Sequence, residues 1–341
     1  MANENPGPIR FGVNFLPNSV QDTLSWAKCA EEVGCEFVGV SDSQSLYRDV
    51  YMCLAAVAAN TEKVTIGPRV INPITRHPAV AANAAATLEE MIPGRTMLGI
   101  GTGDSSVLNL GLKPATRARL KAYVTTLKEL LETGNSIWQG RPVRMTWQEP
   151  KKIPIYFGAS GPKMLHMAGE LADGVIVNTG LTPEVVQDSI ARVRAGAESV
   201  GRSIDDIDMW WFPLTNVNAD REAAIDEIGM SLASAGSHLS YHSIEGKHIP
   251  EELRAKVIEL GKRYRHDQHD KPDGENGALI KELGLVDYLA ERYSIAGTVE
   301  DCIDKINKAA AAGARQFWMS IHFDDKVRIL RDWSDVMAGF R

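Results

Sequence analysis

Short apolar segments alternate with longer amphipathic segments along almost the entire chain. The apolar segments are rich in Val, Ile and aromatic residues, which is typical of buried strands. Such strands are predicted at 9–15, 36–40, 64–71, 96–100, 153–158, 173–177, 208–217 and 315–321. The segments between them have helical spacing or end at Gly or Pro. Helices are therefore predicted at 22–33, 49–60, 79–91, 115–133, 162–171, 183–200, 221–235, 298–312 and 325–340.

Two stretches interrupt this alternation. Residues 137–152 contain two Trp, two Pro and one Gly, and we predict an irregular excursion or a hairpin. Residues 236–292 combine five histidines with helical patterns near 250–264 and 279–291. We expect one domain over residues 1–341, in which 236–292 is an insertion that covers the binding site as a lid.

Eight strands separated by helices must run parallel and be joined by right-handed crossovers. A doubly wound open sheet and a closed (β/α)₈ barrel both fit this order, and eight units in a chain of 341 residues favour the barrel. The loops after the strands then share one mouth. The mouth is expected to hold Asn14, Asp42, Ser43, Ile71, Asn72, residues 101–105, residues 159–161, Asn178, Thr179, Thr215, Asn216, Ile321 and His322.

Composition narrows the class of protein. Lys and Arg number 37 against 44 Asp and Glu, a formal charge of −7, which argues against a nucleic-acid partner. No apolar run reaches the roughly 20 residues that span a bilayer, and the first residues lack the apolar segment of a signal peptide. The cysteines lack metal-ligand spacing, which suits a reducing compartment. We expect a cytoplasmic protein with a small-molecule ligand and no membrane partner.

Two small-residue loops suit a phosphorylated ligand. Gly101 and Gly103 follow the fourth strand, where glycine lets a ligand approach the main chain closely. Ala159, Ser160 and Gly161 directly precede a helix, whose N–H groups and dipole favour an anion. Alternatively, this second loop is an ordinary turn with Ser160 as the helix cap.

Acidic and imidazole side chains are the candidates for chemistry. Asp42 and Asp104 are expected in the same mouth, where either could transfer a proton or hydrogen-bond a polar ring edge. Asp42 is alternatively an exposed loop acid or a local cap. His77 precedes a proline at a helix start, so it is a third catalytic candidate or a cap, and Arg76 beside it could bind an anion. Residues 266–270 form a His- and Asp-rich solvated loop, and we predict no metal site.

Several longer motifs resemble a known family. They are FGVNFLPN from Phe11, VSDS from Val40, IGPRVINPITRHPAV from Ile66, GRTMLGIGTGDSS from Gly94, IPIYFGASGPKMLHMAGELADGVI from Ile153 and YSIAGTVEDCIDKINKAAAAGARQFWM from Tyr293. In these segments the chain resembles the luciferase-like flavin and deazaflavin oxidoreductases, and most of all their F-420-dependent, methylenetetrahydromethanopterin reductase-type branch.

The resemblance implies a (β/α)₈ barrel with the cofactor ring across its mouth and a non-proline cis peptide between Arg69 and Val70. It implies that the loop at residues 101–105, called the glycine loop below, contacts the ring and that residues 159–161 surround the phosphate. It also places an active-site acid at Asp42, whereas Ser43 and Asn14 depart from the family pattern. The implied cofactor-binding residues are Asn14, Arg69, Val70, Asn72, Gly101, Thr102, Gly103, Asp104, Ala159, Ser160 and Gly161.

The resemblance leaves three functions open. The first is hydride transfer between coenzyme F-420 and a small organic substrate. The second is an FMNH₂-dependent monooxygenase that uses O₂ and a partner flavin reductase, and the third is a cofactor-binding protein without turnover. The resemblance also implies a homodimer, which the alanine-rich helical segments at 51–59 and 79–86 would permit by close packing.

Overall fold

Strands and helices alternate through the part of the chain that the computed structural model describes, which is residues 7–147, 149–241, 243–265, 268, 274–321 and 325–341. The strands are β1 (Arg10–Phe15), β2 (Phe37–Val40), β3 (Thr65–Pro68), β4 (Leu98–Ile100), β5 (Asn135–Trp138), β6 (Arg141–Arg144), β7 (Ile155–Ala159), β8 (Gly174–Val177), β9 (Asp208–Trp211), β10 (Leu214–Val217), β11 (Ser294–Gly297) and β12 (Gln316–Ser320).

The helices mostly follow the strands as the sequence predicts. They are α1 (Val20–Val33), α2 (Val50–Ala58), α3 (Pro78–Met91), α4 (Ser105–Leu108), α5 (Arg117–Thr133), α6 (Pro162–Leu171), α7 (Pro183–Glu198), α8 (Arg221–Glu227), α9 (Gly229–His238), α10 (Glu251–Arg263), α11 (Glu275–Glu282), α12 (Val286–Tyr293), α13 (Val299–Ala311) and α14 (Lys326–Ala338). None of these described helices is long and apolar enough to cross a membrane.

The parallel strands form a nearly closed barrel. Their order is β3-β2-β1-β12-β9-β8-β7-β4, and two bridges join the ends of this path, Ile66 to Thr96 and Ile71 to Ile100. The (β/α)₈ architecture expected from the alternation is therefore confirmed. Because all strands point the same way, the loops that follow them meet at one end of the barrel.

Several elements differ from the sequence-based prediction. The strand predicted at 208–217 is broken between β9 and β10, where Pro213 has no N–H to donate to a neighbouring strand. β10 then pairs with β11, a strand that the sequence pattern did not predict. The helix predicted at 221–235 is also two helices, which meet at Ile228. The stretch at 137–152 contains the antiparallel β5–β6 hairpin, as one of the two alternatives predicted.

An aromatic cluster fills the barrel interior. Phe37, Trp210 and Trp318 pack together, with ring centroids 4.7 Å apart for Phe37–Trp210 and 5.7 Å for Trp210–Trp318. The next residue, Trp211, belongs instead to the apolar layer between the barrel and its helices. This alternation follows from the two-residue period of a strand. The interior of the barrel is thus packed with side chains below the mouth.

Helices α9–α12 have a hydrophobic core of their own, which includes Leu232, Leu260 and Leu289. The stretch 236–292, which the sequence predicts as an insertion, contains α10–α12 and the end of α9, whereas this helical cluster begins with α9 at Gly229. Arg292 connects it to the barrel, because its Nε donates to the carbonyl oxygen of Thr179, after β8, at 3.0 Å, while its Nη1 donates to the carbonyl oxygen of His248 in the inserted region at 3.1 Å. These bonds hold the helices over the mouth.

Candidate active site

A cavity of about 340 Å³ opens at the carboxyl ends of the barrel strands and is covered on one side by α9. The loops after β1, β2, β3, β4, β7 and β8 contribute most of its wall. The lining residues include Asn14, Leu16, Ser41, Asp42, Ser43, Arg69, Val70, residues 101–106, residues 158–160, Ile176, Asn178, Phe212, Leu214, Ser231, Ser234, Ala235, His238 and Ser320. The structure thus brings together most of the residues that the sequence placed at the mouth.

The loop after β3 supports one wall of the cavity. The peptide bond between Arg69 and Val70 is cis, as the family resemblance implied. Val70 projects towards the glycine loop, and a Cβ on Gly101 would come within 2.9 Å of its side chain. Only glycine at position 101 therefore allows the two loops to approach this closely.

The glycine loop is locked to the loop after β2. Gly103 has a φ of +97°, and a Cβ there would lie 2.5 Å from the side chain of Val107, so any other residue would be strained. The hydroxyl groups of Ser43 and Ser105 lie 2.9 Å apart, and Gln44 donates to the carbonyl oxygen of Ser106 at 2.6 Å. These contacts fix the edge of the cavity next to Asp42.

Asp42 lines the cavity but is already paired with an arginine. Its carboxylate accepts from Arg76 Nε at 2.9 Å and from Arg76 Nη2 at 3.1 Å. The same Nη2 group also contacts Asp49 at 3.1 Å, and the Asp49 carboxylate caps α2. Arg76 is thus held by two acids, so the predicted anion site at Arg76 is occupied by this chain's own carboxylates. The arrangement suits positioning more than proton transfer by Asp42.

A second acid, Asp104, faces a histidine across the mouth. Its Oδ2 atom lies 3.6 Å from Nε2 of His238, the last residue of α9. Half of the Asp104 side chain is exposed, and it makes no capping bond to α4. The pair joins the glycine loop to the covering helices. The sequence held five histidines in this region, and it carried no signal that would single out His238.

Three of the predicted site residues do not line the mouth cavity. Asn72 is buried and holds its own loop, since its Nδ2 donates to Ser106 Oγ and its Oδ1 accepts from two backbone N–H groups. His77 is exposed and caps α3, because its Nδ1 accepts from the N–H of Ala79 at 3.2 Å. This is the capping role that the sequence left open for it. The third residue, Gly161, lies at the neighbouring cleft.

That neighbouring cleft, of about 20 Å³, begins at Ser160, which also lines the mouth cavity, and lies beside the start of α6. Gly161 is the N-cap of α6, so Ser160 does not have the capping role considered above, and no side chain caps this helix. A Cβ on Gly161 would meet nothing within 4 Å. The open N–H groups at this helix start therefore suit an anionic group such as a phosphate.

In the part of the chain that the structure describes, no three His, Cys, Asp or Glu side chains form a possible metal site. The predicted mouth residue His322 lies outside the described residues. So do His242 and, apart from Gln268, the segment 266–270 that the sequence analysis considered for metal binding.

Known proteins resemble this chain along most of its length. The family model for luciferase-like monooxygenases matches residues 4–316. A 5,10-methylenetetrahydromethanopterin reductase from Archaeoglobus fulgidus is 30% identical over 319 residues, which cover 90% of this chain and 92% of that protein. An F-420-dependent glucose-6-phosphate dehydrogenase from Microbacterium testaceum is 32% identical over 340 residues, with 84% and 99% coverage.

A solved structure also resembles this chain. The coenzyme F-420-dependent tetrahydromethanopterin reductase from Methanopyrus kandleri aligns with a TM-score of 0.78 and 26% identity. The alignment covers 98% of this chain and 100% of that protein, so the fold is shared from end to end.

Proposed function

Because the chain belongs to the luciferase-like monooxygenase family, we propose that it is an oxidoreductase that uses coenzyme F-420 to exchange a hydride with a small organic substrate. Two of the relatives described above are named as F-420-dependent enzymes. The observation that carries the proposal is that Ser160 lines both the mouth cavity and the small cleft at the start of α6, so the two compartments adjoin. A ring with a phosphate-bearing side chain needs these two neighbouring compartments.

The residues of the mouth fit such a cofactor. The Oδ1 atom of Asn14 is buried and has no hydrogen-bond partner among the described residues, so it can accept from a polar ring edge. Val70 and Gly101 offer a flat, closely packed support for a ring, and Gly161 leaves space for a phosphate. We assign Asn14, Val70, residues 101–103 and residues 159–161 to the cofactor, and Arg69 and Asp104 to the substrate part of the same cavity.

When bound, F-420 would supply the hydride chemistry at ring carbon C5, and the protein would supply positioning and proton transfer. Asp104 and His238 face each other at the rim, where either group can hold or move a proton at an oxygen or nitrogen atom of the substrate. Asp42, held by Arg76, orients polar groups deeper in the mouth. Helix α9 limits the access of water to the reacting atoms.

The first test is titration of the purified protein with oxidised F-420 and, separately, with FMN, with the ring fluorescence as readout. We expect micromolar binding of F-420 and binding of FMN that is weaker by about tenfold or more, a difference of about 1.4 kcal/mol. A preference for FMN, above all for its reduced form, would contradict the proposal. It would favour a monooxygenase with a partner flavin reductase, for which O₂ consumption is the assay.

A matched pair of variants tests the phosphate position. Gly161→Asp puts a carboxylate at the uncapped helix start, whereas Gly161→Asn adds a side chain of the same shape without the charge. Position 161 has extended backbone and open space, so both variants are expected to fold. Like-charge repulsion should weaken F-420 binding to the Asp variant by about tenfold relative to the Asn variant. Equal F-420 affinities of the two variants would contradict a phosphate site at this position.

A further inference from the structure

Among the residues that the structure describes, Arg69 at the floor of the mouth has no counter-ion. Arg69 follows β3, and its side chain crosses the barrel floor towards the opposite strands. Its Cζ atom lies 3.4 Å from the centre of the Phe212 ring and 6.0 Å from that of Trp318. Gly39 makes room for it, because a Cβ at that position would come within 2.9 Å of the Arg69 side chain. The guanidinium is therefore held flat against Phe212.

Within the described residues, no hydrogen-bond acceptor or carboxylate is paired with this guanidinium. The Nε atom is buried and has no partner. Burial lowers the pKa of Arg69 to about 9, and no acid counteracts that effect. Other half-buried arginines of this chain are compensated, as Arg76 is by Asp42 and Arg10 is by Asp208. A buried charge without a partner costs free energy, which an anionic ligand would offset.

The carboxylates that line the same cavity are engaged elsewhere. Asp42 accepts both of its hydrogen bonds from Arg76, and Asp104 lies at the rim opposite His238. Neither acid is paired with Arg69. The floor of the mouth thus presents a fixed positive group to whatever enters from above.

The aromatic residues that hold the guanidinium belong to other strands than the glycine loop and the loop at residues 159–161. Phe212 follows β9 and Trp318 lies on β12, whereas those loops follow β4 and β7. In the strand order of the barrel, β12 is on the far side from β4. The guanidinium is therefore held by the side of the barrel opposite the glycine loop, which leaves that side of the cavity for a substrate.

We propose that Arg69 determines substrate specificity by binding a carboxylate of the substrate. The inference rests on the proposed function, and it narrows the substrate class to organic acids. A guanidinium presents two parallel N–H groups that match the two oxygens of a carboxylate. Stacking on Phe212 fixes the plane of this fork in advance, so little side-chain entropy is lost on binding.

The test uses the cofactor-free protein and tryptophan fluorescence, since Trp318 lies beside Arg69. The probes are acetate and benzoate, each compared with its neutral amide, acetamide and benzamide. We expect saturable binding of at least one acid, with its amide weaker by about tenfold or more, the value of a charged hydrogen-bonded pair. Absence of saturable binding by either acid, or equal binding of acids and amides, would overturn the proposal.

Three variants test whether the preference for the acid depends on Arg69. Arg69→Met keeps the length of the side chain but removes its charge, and it should abolish the preference for the acid. Arg69→Lys keeps the charge without the planar fork and should retain part of the preference. Arg117→Met, at an exposed position, is the control and should behave as the wild type. If Arg69→Met retained the full preference, the proposal would be wrong.

A separate arm distinguishes substrate binding from cofactor binding. Oxidised F-420 is titrated into the wild type and into Arg69→Met, with ring fluorescence as the readout. We expect the two affinities to agree within about threefold, less than 1 kcal/mol. A large loss of F-420 affinity without a change in the acid preference would assign Arg69 to the cofactor instead. If the wild type bound no F-420, the proposed function would fail, while the acid titration would still report on Arg69.

Discussion

At the scale of single residues, the rim pair Asp104–His238 carries the strongest case for proton transfer. Asp42 is held by two bonds from Arg76, whereas Asp104 is half exposed and makes no capping bond. A residue that transfers protons must be able to reach the reacting atoms and to exchange its partner. Asp104 meets both requirements better than Asp42.

We therefore expect Asp104→Asn to lower kcat by about a hundredfold, the usual loss when a general acid or base is removed. The affinity for F-420 should stay within about threefold, since the ring and phosphate contacts remain. Steady-state kinetics with a substrate from a screen of alcohols, imines and enones gives kcat, and fluorescence titration gives the affinity. Asp206→Asn, at an exposed position in the 3₁₀ turn before β9, is the control. A kcat within twofold of the wild type would exclude Asp104 from catalysis.

At the scale of elements, Glu31 joins the end of α1 to the start of β3. Its carboxylate accepts from the N–H groups of Glu62, Lys63 and Val64, with the shortest distance 2.6 Å to Lys63. Burial alone would raise the pKa of this group, but the three N–H groups lower it below the ordinary value. A charge held by backbone donors stabilises the turn that sets the register of β3.

Glu31→Gln is expected to lower the free energy of unfolding by about 1 kcal/mol at pH 7. Because the folded-state pKa is depressed, this contribution is present above the unfolded-state pKa of about 4.3 and is lost as the pH falls through the folded value. Urea unfolding followed by circular dichroism between neutral and acidic pH measures the difference. Glu32→Gln, an exposed neighbour, should behave as the wild type. A pH-independent difference would contradict the assignment to charge.

At the scale of the whole molecule, α2 and α3 leave apolar side chains in solvent. Met52 on α2 is 68% exposed and Val80 on α3 is 57% exposed, although these two helices pack against each other. The alanines between them would allow a second copy to approach closely. The homodimer implied by the family resemblance remains a prediction, and we expect this surface to form its interface.

We expect the wild type to sediment as a dimer, and the double variant Met52→Glu with Val80→Glu to sediment as a monomer. Charges at two positions of an apolar interface would have to be desolvated on association, which costs several kcal/mol or about a thousandfold in affinity. Val200→Glu, also at an exposed valine, is the control and should remain a dimer. A monomeric wild type, or a double variant that stays dimeric, would refute the prediction.

Much of the fold could be predicted from the chain because its signals are local. The two-residue and 3.6-residue periods indicated each barrel strand and most helices, and the glycines at 101 and 103 marked a loop that approaches its neighbours closely. Some element boundaries were not predicted because the local sequence signal for them was weak. Pro213 breaks an apolar run that otherwise resembles one strand, and β11 exists only because β10 is there to pair with it.

The sequence by itself thus determined the architecture, the position of the mouth and most of the residues around it. Only the tertiary structure decided that Arg76 neutralises Asp42, that His238 faces Asp104, and that Arg69 has no partner on the floor among the described residues. The physical reason is distance along the chain. Periodicity and turn chemistry act between near neighbours, whereas the partner of each charged group comes from another loop, which closure of the barrel brings within a few ångströms.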